Sequence, residues 1–307
     1  MSGSTDRVLV GNPGANYRGG VPRPPTAELD SLLGFATELA LEASRFVGER
    51  AGRGISVATK STVTDLVTDV DRAVETLIVE RIRAERPGEA IVGEEGPSAA
   101  AVLRRIDAGL VASESKICWY IDPIDGTTNF VYGYPAYAIS IGVEVDGRRV
   151  VGVVHNLASG ETFTAAEGRG AFLDGRPIRV SGRSELSTAL LGTGFAYDPE
   201  YRARQGAVLA RLLGRVRDVR RSGSAAVDLC SVACGRLDAY YEQPLAPWDY
   251  SAGDVIVREA GGVTGSIGGG PIVRGSVLAT SPALLEPLLA LLREAGAPDT
   301  WPARPRA

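Results

Sequence analysis

The stretch Trp119-Tyr120-Ile121-Asp122-Pro123-Ile124-Asp125-Gly126-Thr127-Thr128-Asn129-Phe130 decides how this chain is read. Its apolar lead-in, Ile117 to Ile121, predicts a buried strand that ends in two aspartates held three positions apart by Pro123. Gly126-Thr127-Thr128 follows and can turn its backbone N–H groups outward. Two carboxylates at a strand end suit hard cations, and exposed amides at the start of a helical turn suit a phosphate. Metal and phosphate together point to phosphoryl chemistry. Asp and Gly also build ordinary turns, so the motif alone is equally compatible with a plain loop.

Working outward, Ile139, Ile141, Val143 and Val145 alternate up to Asp146-Gly147, a hairpin signal, and Arg149 to Val154 returns. Glu161 to Ala166 and Ala171 to Leu173 predict further strands before a turn at Asp174-Gly175. Upstream, Thr26 can cap a helix that places Leu29, Leu32, Leu33, Ala36, Ala40, Ala43 and Phe46/Val47 on one face. A second helix opens near Thr68-Asp69, buries Val70, Val74, Leu77, Ile78 and Ile82, and stops at Pro87-Gly88. Residues 26–183 therefore read as an α+β half with an antiparallel sheet.

From Ser184 onward, strands alternate with helices. The spacing predicts strands at Ala189–Leu191, Val216–Val219, Asp238–Tyr241 and Val277–Ala279. Between and after them come helices at Glu200–Leu213, Ser224–Ala233, Ser251–Ala260 and Pro282–Ala295. Such alternation over residues 184–296 suggests a layered α/β half, with a ligand site where the two halves meet. Residues 1–25 and 297–307, rich in Gly and Pro, are expected to be a flexible leader and tail.

Three more acidic segments share the character of the opening motif. Ala90 to Glu95 reads as a short strand ending in Glu94-Glu95. Asp65, Asp69 and Asp71 stand where a helix begins, and Asp249 follows Trp248 at the start of another. Singly, each has an ordinary explanation: Asp71 and Asp249 as helix caps, Glu94-Glu95 as a solvated loop. Brought together, like charges would raise one another's pKa and destabilise the fold unless cations neutralised them. Oxygen donors without His or Cys favour Mg²⁺ or Mn²⁺ over zinc.

Composition narrows the classes. In 307 residues, 44% hydrophobic and 23% charged, there is ample material for a soluble globular core. The net charge of −4 supplies no bulk attraction for nucleic acid or anionic membrane, so a phosphate needs locally placed cations. The three cysteines, Cys118, Cys230 and Cys234, sit in apolar surroundings and read as core residues, not as a disulfide framework or zinc site. The single histidine, His155, ends a Val-rich strand, which leaves little material for a Ser-His-Asp or Cys-His mechanism. With no apolar run long enough for a membrane and no secretory signal, the expected place is the cytoplasm.

At this point the residues resemble a specific family, the inositol monophosphatases, Mg²⁺-dependent and lithium-sensitive. Two signatures carry the resemblance, Trp119 to Phe130 and Trp248 to Gly262, with Gly93-Glu94-Glu95, Asp65 to Asp71 and Gly223-Ser224-Ala225-Ala226 in matching order. Leu191 to Phe195 and Arg220 to Ala226 look closer to the bacterial branch. The resemblance covers roughly residues 27–295. It implies an α-β-α-β-α layered sandwich, commonly a homodimer, that hydrolyses a small phosphate monoester by attack of a metal-activated water.

Residue by residue, the resemblance implies that Glu94, Asp122 and the carbonyl of Ile124 hold a first metal. Asp122, Asp125 and Asp249 would hold a second, and Glu94 with waters a weaker third. Thr127, paired with Asp71, would orient the water. Gly126 and Thr127 amides would receive the phosphate, with Gly223, Ser224, Ala225 and Glu242 on the alcohol side. Lys60 occupies the family's basic position in the loop before Asp65 and would help order the third cation. Arg220 and Arg221 stand either as surface arginines or as readers of a second phosphate.

Inositol 1-phosphate is the first substrate such a site suggests. Histidinol phosphate, fructose 1,6-bisphosphate and adenosine 3′,5′-bisphosphate belong to the same chemistry. A regulatory binding protein that keeps the fold is the alternative from another class. A two-metal nuclease is disfavoured by the acidic charge and the lack of a basic, aromatic-lined groove.

Overall fold

The structure, a computed structural model, describes residues 23–51, 56–60, 65–97, 99–107, 115–273 and 275–298. The expected leader up to residue 22 and the tail from 299 lie outside the described residues.

Helix α1 (Thr26–Ala51) buries Leu29, Leu32, Ala36, Leu39, Ala40 and Ala43, the three-and-four spacing of a single face. A short hairpin of β1 (Val57–Thr59) and β2 (Leu66–Thr68) leads into α2 (Asp69–Glu85). Thr68 caps α2, its Oγ1 accepting from the amides of Val70 and Asp71 at 3.2 Å each. The Asp71 carboxylate closes the capping box by accepting the Thr68 amide at 2.9 Å. Residues 90–177 then form a seven-stranded sheet, ordered β3-β4-β5-β6-β7-β8-β9. Its strands are β3 (Ala90–Gly93), β4 (Ile117–Asp125), β5 (Ala138–Val145), β6 (Arg148–Asn156), β7 (Thr162–Ala166), β8 (Gly170–Leu173) and β9 (Arg176–Pro177). At the β5–β6 turn Asp146 and Gly147 both take positive φ, 51° and 77°, as a type I′ hairpin requires.

One pairing departs from the antiparallel sheet expected from the sequence: β3 runs parallel to β4. The cause is helix α3 (Ala99–Asp107), an Ala-rich crossover of nine residues that the sequence reading did not pick out, since parallel neighbours need such a connection. Helix α4 (Thr127–Tyr132) is the short turn of helix that leaves β4.

The second sheet, ordered β11-β10-β12-β14-β13, is mixed. Its elements are β10 (Leu190–Thr193), α5 (Pro199–Leu212), β11 (Asp218–Arg220), α6 (Ala225–Ala233), β12 (Ala239–Glu242), α7 (Pro247–Glu259), β13 (Val263–Gly265), β14 (Val277–Thr280) and α8 (Leu285–Glu294). β11 and β12 run parallel to β10, and β14 runs antiparallel to both β12 and β13. Pro247 fixes φ at the first position of α7, so that helix begins four residues before the expected Ser251 and takes Asp249 into its first turn.

Three apolar clusters arrange these parts into layers. Ile139, Ile141, Val151 and Val153 face α1 and α2 from one side of the large sheet. Their neighbours Ala138 and Val154 face the other way, with Phe163 and Ala165, onto α6 and α7. Tyr240, Val277 and Ala279 of the second sheet close that same cluster. Leu191, Ala239, Tyr241 and Leu278 face outward onto α5 and α8. The result is a helix–sheet–helix–sheet–helix sandwich. His155 is buried, its ring nitrogens 2.9 Å from Ser44 Oγ and 2.9 Å from Thr162 Oγ1, so it ties α1 to the sheet. Among the described residues no helix is long and apolar enough to cross a membrane.

Helix α7 lies closer to the sheet than side chains on both partners would permit. Gly142 and Gly152 pair across β5 and β6 directly beneath it. A methyl group on Gly142 would stand 2.7 Å from Ser251 Cβ, and one on Gly152 would strike the Ala252 carbonyl. This contact sets the depth at which Asp249 enters the site. Gly152→Val is expected to lower unfolding free energy by about 1–3 kcal/mol or more, the usual cost of overpacking. Gly206→Ala on α5, where nothing stands near the added methyl, is expected to be neutral or slightly stabilising. Urea unfolding of the two variants checks the contrast.

Candidate active site

Strand β4 does not stop at Ile121; it continues through both aspartates. Against β5, Asp122 pairs with Ser140 and Asp125 with Ala138, so three steps on one strand match two on the other. In a regular strand residues three apart point to opposite faces. The extra residue is a β-bulge, and it restores both carboxylates to the same side. Pro123, with no N–H to offer the ladder, sits where the pairing lapses.

Beyond the bulge, Gly126 takes φ 94° and starts α4. A methyl group there would stand 2.9 Å from the Ala136 carbonyl and 3.2 Å from that of Gly223. Gly126 therefore permits both the turn and the approach of the second half of the molecule.

Each acid is held by a donor from its own surroundings. Asp122 Oδ1 accepts the Ile124 amide at 3.1 Å, and Asp249 Oδ2 accepts the Ala246 amide at 2.6 Å. Neither second oxygen has a protein donor among the described residues. Asp125 Oδ2 accepts from Ser224 Oγ at 2.7 Å and from the Ala226 amide at 2.6 Å, at the beginning of α6. Ser224 also caps α6, taking the Val227 amide at 3.2 Å, so its hydroxyl positions Asp125. Asp71 is fully buried. One of its oxygens serves Thr68, and the other lies 3.0 Å from Thr127 Oγ1, which also lies 3.1 Å from the Ile124 carbonyl.

The acids repel one another. Burial, then Glu94, Asp125 and Asp249, raise the Asp122 carboxyl well above its usual range. Burial, then Asp125 and Glu94, do the same to Asp249. Burial pushes Glu94 up to about 7 against the pull of Lys60, with Glu95 and Asp71 adding to the rise. Burial lifts Asp125 to about 6, although the donors from Ser224 and Ala226 oppose it.

Two further buried carboxyls escaped sequence reasoning. Glu75, one turn after Asp71 on α2, accepts the Glu95 amide at 2.8 Å and braces the Glu94-Glu95 loop. Burial lifts it to about 7. Asp228 in α6 is lifted by burial to about 8, near Glu242 and Asp125. The available signal was an acid at an otherwise apolar, core-facing helix position: Glu75 between Val74 and Ile78, Asp228 between Val227 and Leu229.

Do these residues fit a divalent cation? Among the described residues, no three His, Cys, Asp or Glu side chains stand close enough together, as placed, to hold a metal ion. The donor set nevertheless suits a hard cation: oxygens only, mutually repelling, with Asp122 and Asp249 each keeping an oxygen open. One positive charge already stands among them. Lys60 Nζ lies 2.7 Å from Glu94 Oε1 and also pairs with Glu95. The residues present fit the group.

Glu242 ends β12 and accepts the Tyr240 hydroxyl at 2.5 Å. Gly194 leaves the space against which its carboxylate rests. Arg220 is exposed and paired with Asp218 at 2.7 Å, a surface arginine. Arg221 behaves differently, its charge lowering the pKa of both Glu242 and Asp228.

These shifts set a pH dependence. Glu94, Glu75, Asp125 and Asp228 bind protons more tightly folded than unfolded, since their ordinary values are 4.5, 4.5, 3.8 and 3.8. Their contribution is fully present below pH 4 and is lost as pH rises through about 6 to 8. Metal-free protein is therefore expected to unfold at lower urea at pH 8 than at pH 5.5. Millimolar Mg²⁺ should raise the pH 8 midpoint selectively. An unchanged midpoint at both pH values would contradict the reading.

The family model described as the inositol monophosphatase family matches residues 28–297. Inositol-1-monophosphatase SuhB of Mycobacterium tuberculosis is 45% identical over 287 residues, covering 88% of this chain and 96% of that protein. The Nus factor SuhB of Escherichia coli K12 is 35% identical over 267 residues, covering 86% and 96%. The crystal structure of extragenic suppressor protein suhB from Bartonella henselae superposes with TM-score 0.77 at 31% identity, covering 86% and 99%.

Proposed function

Because this chain belongs to the inositol monophosphatase family and is a phosphoric monoester hydrolase, we propose that it hydrolyses a small phosphate monoester with Mg²⁺, inositol 1-phosphate being the leading candidate. The observation that carries this reading is that acids from separate stretches lie near enough to act on one another: Glu94, Asp125 and Asp249 each raise the Asp122 carboxyl, and Asp125 and Glu94 raise that of Asp249. Glu94, Asp122 and the Ile124 carbonyl would hold one cation; Asp122, Asp125 and Asp249 would hold a second. Glu94 would also hold a weaker third, beside the Lys60 loop. Bound there, such cations neutralise phosphoryl charge and make water acidic enough to attack near neutral pH.

The chain's own groups do the rest. Thr127 Oγ1 carries one proton and has two acceptors in reach, Asp71 Oδ1 and the Ile124 carbonyl. Donating to Asp71 leaves its lone pairs to accept from the attacking water and frees the Ile124 carbonyl for a cation. Asp71 then takes the proton through Thr127. The amides of Gly126 and Thr127 receive the phosphate, where oriented donors stabilise the transferring group. Glu242 accepts from hydroxyls of the alcohol, and Gly223 to Ala225 border it. We place this activity in a homodimer in the cytoplasm, inhibited by lithium.

The test is phosphate release by purified protein from inositol 1-phosphate, histidinol phosphate, fructose 1,6-bisphosphate and adenosine 3′,5′-bisphosphate. Release is expected to require Mg²⁺, stop with chelator and fall with lithium. Release undiminished by chelator, or none from any ester, would overturn the proposal. The name of the Escherichia coli relative supports a second, regulatory reading. Under it, partner capture would persist in an Asp122→Asn protein that no longer turns over.

A further inference from the structure

The alcohol side of the site is not purely acidic, and Arg221 is the reason. Gly223 takes φ 93° and stands against the Gly126 turn, its carbonyl 3.2 Å from where a Gly126 methyl would lie. On its other side, a methyl on Gly223 would meet an Arg221 guanidinium nitrogen at 2.5 Å and Asn129 Nδ2 at 2.9 Å. Asn129 Nδ2 donates to the Ser222 carbonyl at 2.8 Å and the Ala136 carbonyl at 2.6 Å, which fixes this corner. The guanidinium therefore rests beside the Gly126–Gly223 junction, at the edge of the space that Glu242 closes.

Unlike Arg220, Arg221 forms no ion pair among the described residues. It is exposed, so its fork remains open to a ligand from solvent. Its influence on Glu242 and Asp228 agrees with that position. A planar fork of donors recognises phosphate or carboxylate in paired hydrogen bonds.

We infer that Arg221 is a specificity-determining residue that reads a second anionic group on the alcohol part of the substrate. This rests on the hydrolase reading above and extends it. Besides a neutral polyol, the site takes a phosphorylated or carboxylated alcohol, with Glu242 accepting its hydroxyls and Arg221 binding its charge.

The experiment compares kcat/KM for fructose 1,6-bisphosphate and inositol 1-phosphate in wild type, Arg221→Gln, Arg221→Lys and Arg220→Gln. In wild type both esters are expected to turn over. Arg221→Gln should lower the bisphosphate-to-monophosphate ratio about tenfold, the scale of one charge-assisted hydrogen-bonded pair. Arg221→Lys should restore part of that ratio through KM, and Arg220→Gln should leave it unchanged. An equal fall for both esters would overturn the inference, because Arg221 would then only balance Glu242 and Asp228. So would an unchanged ratio, or a wild type that cleaves the monophosphate alone. Failure of wild type on every ester would instead strike the hydrolase reading itself.

Discussion

Asp122→Asn is expected to lower kcat/KM on the order of 10³-fold, and to do so without unfolding the protein. The size follows from its double duty, since it would hold both cations, and losing even one charge-stabilising contact typically costs roughly 10²–10³. The absence of unfolding follows from the electrostatics. Asp122 is buried beside Glu94, Asp125 and Asp249, and in metal-free protein its charge opposes folding. Asparagine removes that repulsion while its oxygen can still accept the Ile124 amide. Metal-free Asp122→Asn should therefore unfold at higher urea than wild type at pH 8, and Mg²⁺ should raise its midpoint less. Loss of activity with gain of metal-free stability is a combination that simple misfolding cannot produce. Retained turnover would end the mechanism.

The second large effect concerns Asp71 and Thr127. Thr127→Ala removes the hydroxyl that, in the proposed mechanism, would pass a proton to Asp71, a general-base arrangement worth roughly 10²–10⁴ in rate. Asp71→Asn should cost a similar factor in kcat. In that mechanism the pair would act as one device, so the double variant should be little worse than either single one. Multiplying effects would show that the two residues act separately. Asp71→Asn should also weaken the α2 cap by about 1 kcal/mol, because the same carboxylate serves Thr68. Thr127→Ala leaves that cap intact, so stability separates the two roles.

How much of this was legible in the sequence depends on which physical signal each part leaves. Alternation ending in Asp146-Gly147 marked a hairpin because its turn demands positive φ at both residues. The face of α1 was equally plain from its spacing. Elements of two or three residues, such as β1, β9 and β13, carry no period long enough to detect. Helix α3 was missed although Val102, Leu103 and Ile106 carry a helical period, and with it went the one parallel pairing of the large sheet.

The site shows the same division. The acids proposed for it drew attention by their positions at strand ends and helix starts. Their convergence depends on the bulge between Asp122 and Asp125, which composition does not announce. For Asp71 the sequence offered two readings, helix cap or reacting group. In the fold one carboxylate oxygen caps α2 and the other faces Thr127 Oγ1, the position the proposed reacting role requires. Glu75 and Asp228 stayed hidden because burial, not residue type, makes them unusual. Lys60 was read as a loop residue near a cation; its ammonium pairs with Glu94 and Glu95 directly.

That pairing bears on the central claim, which is that acids from separate stretches of this chain form one seat for divalent cations. The most direct measurement is calorimetric titration of metal-free protein with Mn²⁺ at pH 7, in two buffers of different ionisation enthalpy. Two or more cations per chain are expected, with protons released on binding because Glu94, Asp122 and Asp249 are held above their usual values. Asp249→Asn should remove at least one of those cations. An absence of binding, or binding that releases no protons and ignores Asp249, would contradict the account.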